Sequence, residues 1–127
     1  VGDYKRLPNE VGGNETTAPE DVHPEIKALF KEYNSKKRRS FEDIIDLHQR
    51  FEAIHPFQDG NGRVGRLVMF KECLANGYVP FIITEELKMF YYRGLREWNN
   101  VRGYLLDTCL TAQDNYKAVL DYFKVRY

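Results

Sequence analysis

Apolar residues recur at helical spacing along most of the chain, and the polar stretches between them carry turn and cap residues. From Pro24, the residues Ile26, Leu29, Phe30 and Tyr33 fall on one face of a short helix. Pro24 suits the first turn, where its missing N–H is not needed. Ser40, with Asp43 three residues on, has the form of an N-cap and its capping-box partner. Behind it, Phe41, Ile44, Ile45, Leu47, His48, Phe51 and Ile54 make a broad apolar stripe, the mark of a central helix that delivers His55 at its end. Leu67, Val68, Phe70 and Leu74 belong to a helix that Asn76-Gly77 stops. Thr84 caps the next, with Glu85 and Glu86 in its first turn and Leu87, Phe90, Tyr91, Leu95 and Trp98 along it. Leu105 to Phe123 forms a last helix. The pattern predicts an all-α fold of about six helices.

Two stretches do not follow helical spacing. Tyr78 to Ile83 is a short apolar run, but Pro80 and the lack of a partner strand favour a buried connector. Residues 3 to 13 look like an extended segment, a Pro8-Asn9 turn and a second extended segment ended by Gly12-Gly13. That predicts a small β-hairpin. Residues 14 to 22 are polar and interrupted by proline, as a loop would be.

Composition narrows the picture without changing it. The 127 residues fit one domain, 43% hydrophobic, with 19 basic and 19 acidic side chains. The balance leaves no overall basic footprint for nucleic acid. The one dense basic run, Lys36-Lys37-Arg38-Arg39, lacks interleaved aromatics and reads as a solvated loop. No apolar run approaches a membrane span. Cys73 and Cys109 fall in helical segments and read as core thiols of a reducing, cytoplasmic compartment. The chain starts at Val1 within the predicted hairpin, so a fragment of a longer protein is expected.

The chemistry concentrates in residues 55 to 66, His-Pro-Phe-Gln-Asp-Gly-Asn-Gly-Arg-Val-Gly-Arg. His55 supplies an imidazole, the side chain best suited to accept a proton near neutral pH. Asp59 is a hard oxygen ligand of the kind Mg²⁺ takes when it also binds phosphates. Gly60-Asn61-Gly62 makes a turn whose backbone N–H groups can converge on an anion at the start of a helix. Arg63 and Arg66 lie one helical turn apart and can reach one polyphosphate. His48 lies roughly 10 Å from His55 at 1.5 Å per residue, too far to share a metal ion, and reads as a buried, hydrogen-bonded histidine. Base, metal ligand, anion cradle and two phosphate clamps together predict a nucleotide-dependent transfer site.

This stretch closely resembles the Fic signature His-x-Phe-x-(Asp/Glu)-Gly-Asn-Gly-Arg-x-x-Arg. All of its fixed positions are present: His55, Phe57, Asp59, Gly60, Asn61, Gly62, Arg63 and Arg66. The resemblance implies transfer of AMP from Mg-ATP to a Ser, Thr or Tyr hydroxyl of a target protein. His55 would be the base, Asp59 the Mg²⁺ ligand, and Asn61 with the backbone of Gly60 and Gly62 the α-phosphate site. Arg63 and Arg66 would clamp the β- and γ-phosphates, with Phe57 packed inward. The hairpin would be a flap that pairs with the target's backbone, with Lys5, Arg6 and Leu7 as docking residues. Tyr91, Tyr92, Trp98 and Tyr104 fall where Fic proteins shape the adenine pocket.

Relatives resembling Doc toxins act as kinases and replace the second motif glycine by lysine; Gly62 stands there in this chain. A domain kept only as a nucleotide-binding module is the other alternative. Many Fic proteins are held off by a helix bearing (Ser/Thr)-x-x-x-Glu-(Gly/Asn), whose Glu pairs with the residue equivalent to Arg66. Thr16 to Glu20 has the spacing, but Asp21 follows and Pro19 interrupts it. An inhibitory helix or antitoxin-like partner is therefore expected from outside these 127 residues.

Overall fold

The computed structural model describes residues 3–11 and 14–127, which fall into two compact units, Val1–Val68 and Met69–Tyr127. The described residues form β1 (Glu10–Val11), β2 (Asn14–Glu15), α1 (Val22–Ser35), α2 (Phe41–Ile54), α3 (Asn61–Ala75), α4 (Lys88–Glu97) and α5 (Gly103–Tyr122). Single 3₁₀ turns at Pro19–Asp21 and Glu85–Leu87 lead into α1 and α4. The predicted all-α fold with one small hairpin is what the chain adopts, with five α-helices where about six were expected.

In the first unit, α1 packs against α2. Val22, Ile26, Leu29 and Tyr33 meet Leu47, Phe51 and Ile54, and Phe30, Phe57 and Val68 close the edge. Each fully buried side chain of this size contributes about 1.5–3 kcal/mol of transfer free energy. The start of α2 is the predicted capping box: Asp43 N–H donates to Ser40 Oγ at 3.1 Å, and Ser40 N–H to Asp43 Oδ2 at 2.9 Å. Two residues of the basic run serve these helix ends. Lys36 Nζ donates to Asp43 Oδ1 at 2.8 Å, and the Arg39 guanidinium lies 4.6 Å from the Tyr33 ring centroid.

The hairpin differs from its prediction. The paired residues are Glu10 with Glu15 and Val11 with Asn14, and Gly12-Gly13 lies outside the described residues. Pro8-Asn9 lies before the strands. Residues 3 to 9 are not a strand, and the N–H groups of Lys5, Arg6 and Leu7 bond instead to Pro56 O and Gln58 Oε1.

The second unit is built on the α4–α5 pair. Gly94 lets the two backbones meet, since an added Cβ would lie 2.6 Å from Leu105 Cα. Tyr91, Trp98, Leu105, Cys73 and Cys109 are fully buried around that approach. Both cysteines are free thiols, and burial pushes Cys73 up to about 11 and Cys109 to about 12. They are inert core residues. The 78–84 connector is irregular, as Pro80 required, and Gln113 Nε2 donates to Val79 O at 2.9 Å to hold it. Among the described residues, no helix is long and apolar enough to cross a membrane.

Candidate active site

The site lies where α2 gives way to α3, within the first unit. His55 caps α2 in the left-handed region, φ 51 and ψ 62, while its N–H still bonds Phe51 O at 3.0 Å. A non-glycine residue held there costs on the order of 1–3 kcal/mol and persists only where its surroundings dictate it. The imidazole is half-buried. Desolvation lowers its pKa below the usual value, and the charge of Lys5 pushes the same way; the Glu52 backbone opposes both. Nδ1 is nonetheless buried without a normal hydrogen-bond partner. Burial thus favours the neutral form of His55.

The loop after His55 is closed by Asn61. Its Oδ1 accepts the Phe57 N–H at 2.7 Å, and its Nδ2 donates to Phe57 O at 2.7 Å. Only 4% of Asn61 is exposed. The expected α-phosphate contact therefore competes with a structural duty: the amide is engaged as the staple of the loop. Gly60 takes φ +80, a conformation natural to glycine, and its carbonyl accepts the first bond of α3 from Val64 N–H at 3.0 Å. The N–H groups of Asn61, Gly62 and Arg63 precede that bond, so the helix start can receive an anion.

Both arginines fold back over the turn's glycines. A Cβ on Gly60 would lie 3.4 Å from Arg63 Nη2, and one on Gly62 would lie 2.8 Å from Arg66 Nη1. The two guanidinium groups therefore flank the start of α3. Asp59 is exposed, and its Oδ1 accepts the Gly60 N–H at 2.8 Å, leaving Oδ2 for a cation. Among the described residues, no group of three or more His, Cys, Asp and Glu side chains could hold a metal ion. A lone hard carboxylate suits Mg²⁺ that takes its remaining ligands from phosphates and water.

The three expected docking residues part company. Arg6 and Leu7 are exposed, whereas Lys5 is buried, with 4% of its surface accessible. Its Nζ donates to Asn9 Oδ1 at 2.6 Å, Thr16 Oγ1 at 2.8 Å and Ile54 O at 3.2 Å. The Lys5 N–H bonds Pro56 O at 2.8 Å, and Asn9 Nδ2 donates to Phe57 O at 3.0 Å. The side chain of Lys5 ties the N-terminal segment to the end of α2 instead of facing outward. Lys5→Met should cost about 1.5–3 kcal/mol in denaturant unfolding, because three acceptors lose a charged donor. Unchanged stability with weaker target binding would return Lys5 to a docking role. Arg6 and Leu7 present their N–H groups to Gln58 Oε1, both at 3.2 Å, and Gln58 Nε2 donates to Leu7 O at 3.3 Å.

The aromatic group divides as well. Tyr91 and Trp98 are core, while Tyr92 and Tyr104 are exposed, the latter under the Arg93 guanidinium at 4.2 Å. Glu20, in the Pro19–Asp21 turn, is exposed.

Sequence reasoning missed Glu52. It is 9% exposed, lies against Gly65, and has Oε1 buried without a partner. Burial pushes its carboxyl up to about 7, against the pull of Arg66. His48, one turn earlier, donates from Nδ1 to Gly65 O at 3.1 Å, and full burial lowers it to about 4. It is the buried, hydrogen-bonded histidine the spacing predicted. The i, i+4 step from His48 to Glu52 was the available signal: it put a carboxyl on a buried stripe.

The chain is thus a helical domain in which one loop joins a half-buried histidine to a helix N-terminus flanked by two arginines. The chain belongs to the Fic/DOC family, whose model matches residues 2–73. It is 33% identical over 101 residues to a protein adenylyltransferase Fic of Aedes aegypti, covering 77% of this chain and 20% of that one. It is 32% identical over 98 residues to the protein adenylyltransferase Fic of Drosophila grimshawi, covering 75% and 20%. The chain thus spans about a fifth of the length of these curated relatives. A Fic-domain signaling protein from Bacteroides thetaiotaomicron shares the fold, with TM-score 0.75 and 27% identity over 91% of this chain and 51% of that one.

Proposed function

We propose that this chain transfers AMP from ATP to a Ser, Thr or Tyr hydroxyl of a protein. The observation that carries the reading is His55: a half-buried imidazole held below the usual histidine pKa, set in a left-handed cap, on the loop that leads to two guanidinium groups and a helix N-terminus. In this reading His55 takes the proton of the incoming hydroxyl as its oxygen attacks the α-phosphorus. The bond from that phosphorus to the bridging oxygen breaks, and pyrophosphate leaves. The N–H groups at the start of α3 stabilise charge on the α-phosphate, while Arg63 and Arg66 hold the β- and γ-phosphates. Asp59 would hold Mg²⁺, which when bound neutralises charge on the phosphates and the leaving group. The target is a protein with an accessible hydroxyl, presented along the exposed Arg6-Leu7 edge. A regulatory helix or antitoxin-like partner acting on Arg66 belongs to the same proposal.

Incubation of the protein and a host lysate with ATP labelled at the α- or the γ-phosphate tests this. Label should pass to protein from the α position only; transfer from the γ position would make the chain a kinase, and none from either would make it a binding module. Asp59→Asn should raise the Mg²⁺ needed for half-maximal transfer by on the order of tenfold or more. An unchanged Mg²⁺ titration would place the metal elsewhere.

A further inference from the structure

Glu52 has no part in the transfer as described, yet it sits at the centre of the α2–α3 joint. Its carboxyl fills the space a side chain at residue 65 would need, since an added Cβ on Gly65 would collide with Oε1. Gly65 is therefore the position that admits Glu52, and the next residue in α3 is Arg66. A buried carboxyl oxygen without a hydrogen-bond partner is uncommon in folded proteins and calls for an explanation. Among the described residues, the charged group that acts on Glu52 is the Arg66 guanidinium. That guanidinium lies over Gly62, and no bond from it satisfies Glu52 Oε1. Glu52 is thus acted on electrostatically by an arginine to which it makes no bond.

We infer that Glu52 is a positioning residue that competes with bound polyphosphate for Arg66, so that nucleotide binding is coupled to protonation of Glu52. The inference rests on the reading of Arg66 as a phosphate clamp. When ionised, Glu52 attracts the guanidinium toward α2 and repels phosphate oxygens. When protonated, it leaves Arg66 to the phosphates and puts no negative charge beside them. A polyanion at Arg66 therefore favours the protonated form, and the proton comes from solvent.

The surrounding groups fit this assignment. Arg66 faces Glu52 from α3; on α2 itself His48 lies one turn before it, neutral and bonded to Gly65 O, and His55 follows three residues later. From the N-terminal segment, Lys5 acts on His55. Burial already holds Glu52 near neutrality, so it titrates at about 7. Above that pH the carboxylate forms and binding must work against it; below it there is nothing to displace.

Calorimetric titration of the protein with Mg-ATP, in two buffers of different ionisation enthalpy between pH 6.5 and 8.5, tests the coupling. The unmutated protein should take up a fraction of a proton on binding. Its affinity should fall about sixfold across that range if binding raises the midpoint of Glu52 by one unit. Glu52→Gln keeps the shape of the side chain and should abolish both the uptake and the pH dependence. A residue with a merely structural role would change stability and leave the proton count alone.

A ¹³C titration of the Glu52 carboxyl in the unmutated protein, with and without Mg-ATP, needs no variant to fold. Its midpoint should rise on binding. Equal midpoints, or proton uptake that persists in Glu52→Gln, would overturn the coupling while leaving the clamp intact. Failure of the unmutated protein to bind Mg-ATP would overturn the clamp and the coupling together.

Discussion

His55→Ala is expected to lower AMP transfer by on the order of 10²–10⁴ while folding and Mg-ATP binding stay near those of the parent. The imidazole is half-buried at the end of α2 and its ring nitrogen Nδ1 supports no hydrogen bond of the fold, so removing it takes away little structure. Alanine loses the ring but must still adopt φ 51, which makes a modest loss of stability the only expected side effect. The pH profile gives a second check. Desolvation and Lys5 hold His55 below the usual histidine value, which favours the base form. At saturating Mg-ATP, transfer should fall on acidification through a midpoint below that usual value. A folded variant with full transfer activity would remove His55 from the chemistry.

Asn61→Ala is expected to have the largest effect on the fold of any motif substitution. The amide makes two bonds of 2.7 Å to the Phe57 backbone from a site with 4% exposure. Deleting it leaves the Phe57 N–H without its partner and Phe57 O with Asn9 Nδ2 alone, at a cost of about 1–3 kcal/mol. The loop would then no longer fix His55 against the start of α3. A misplacement of about 1 Å can cost on the order of 100-fold in rate, so transfer should fall to that extent even where the variant stays folded. Urea unfolding and a transfer assay on the same samples separate the two roles. If stability is unchanged and only transfer drops, Asn61 serves phosphate directly and the loop is held by its other contacts.

The helices and the motif were legible because both depend on local chemistry. Apolar spacing of three and four residues places one face of α2 inward whatever it packs against, and the Ser40–Asp43 box closes within its own turn. The spacing of His55, Asp59, Arg63 and Arg66 likewise fixes which groups share one loop and one helical turn. The hairpin was misplaced by several residues, since short strands are defined by their partner and not by their own composition.

Long-range contacts account for the rest. Lys5 looked like an exposed docking residue until acceptors at Asn9, Thr16 and Ile54 gathered around its ammonium. Asn61 looked like a phosphate ligand, and only the folded loop directs its amide to Phe57. Glu52 carried no motif at all. Its role depends on Gly65, thirteen residues away, lacking a side chain at the point where two helices meet. The sequence by itself determined the helical periods and the set of motif side chains, because bonds within one turn and the identity of side chains are local. Which polar groups are buried, and what each must then satisfy, only the tertiary structure decided, because burial brings together residues distant in the chain.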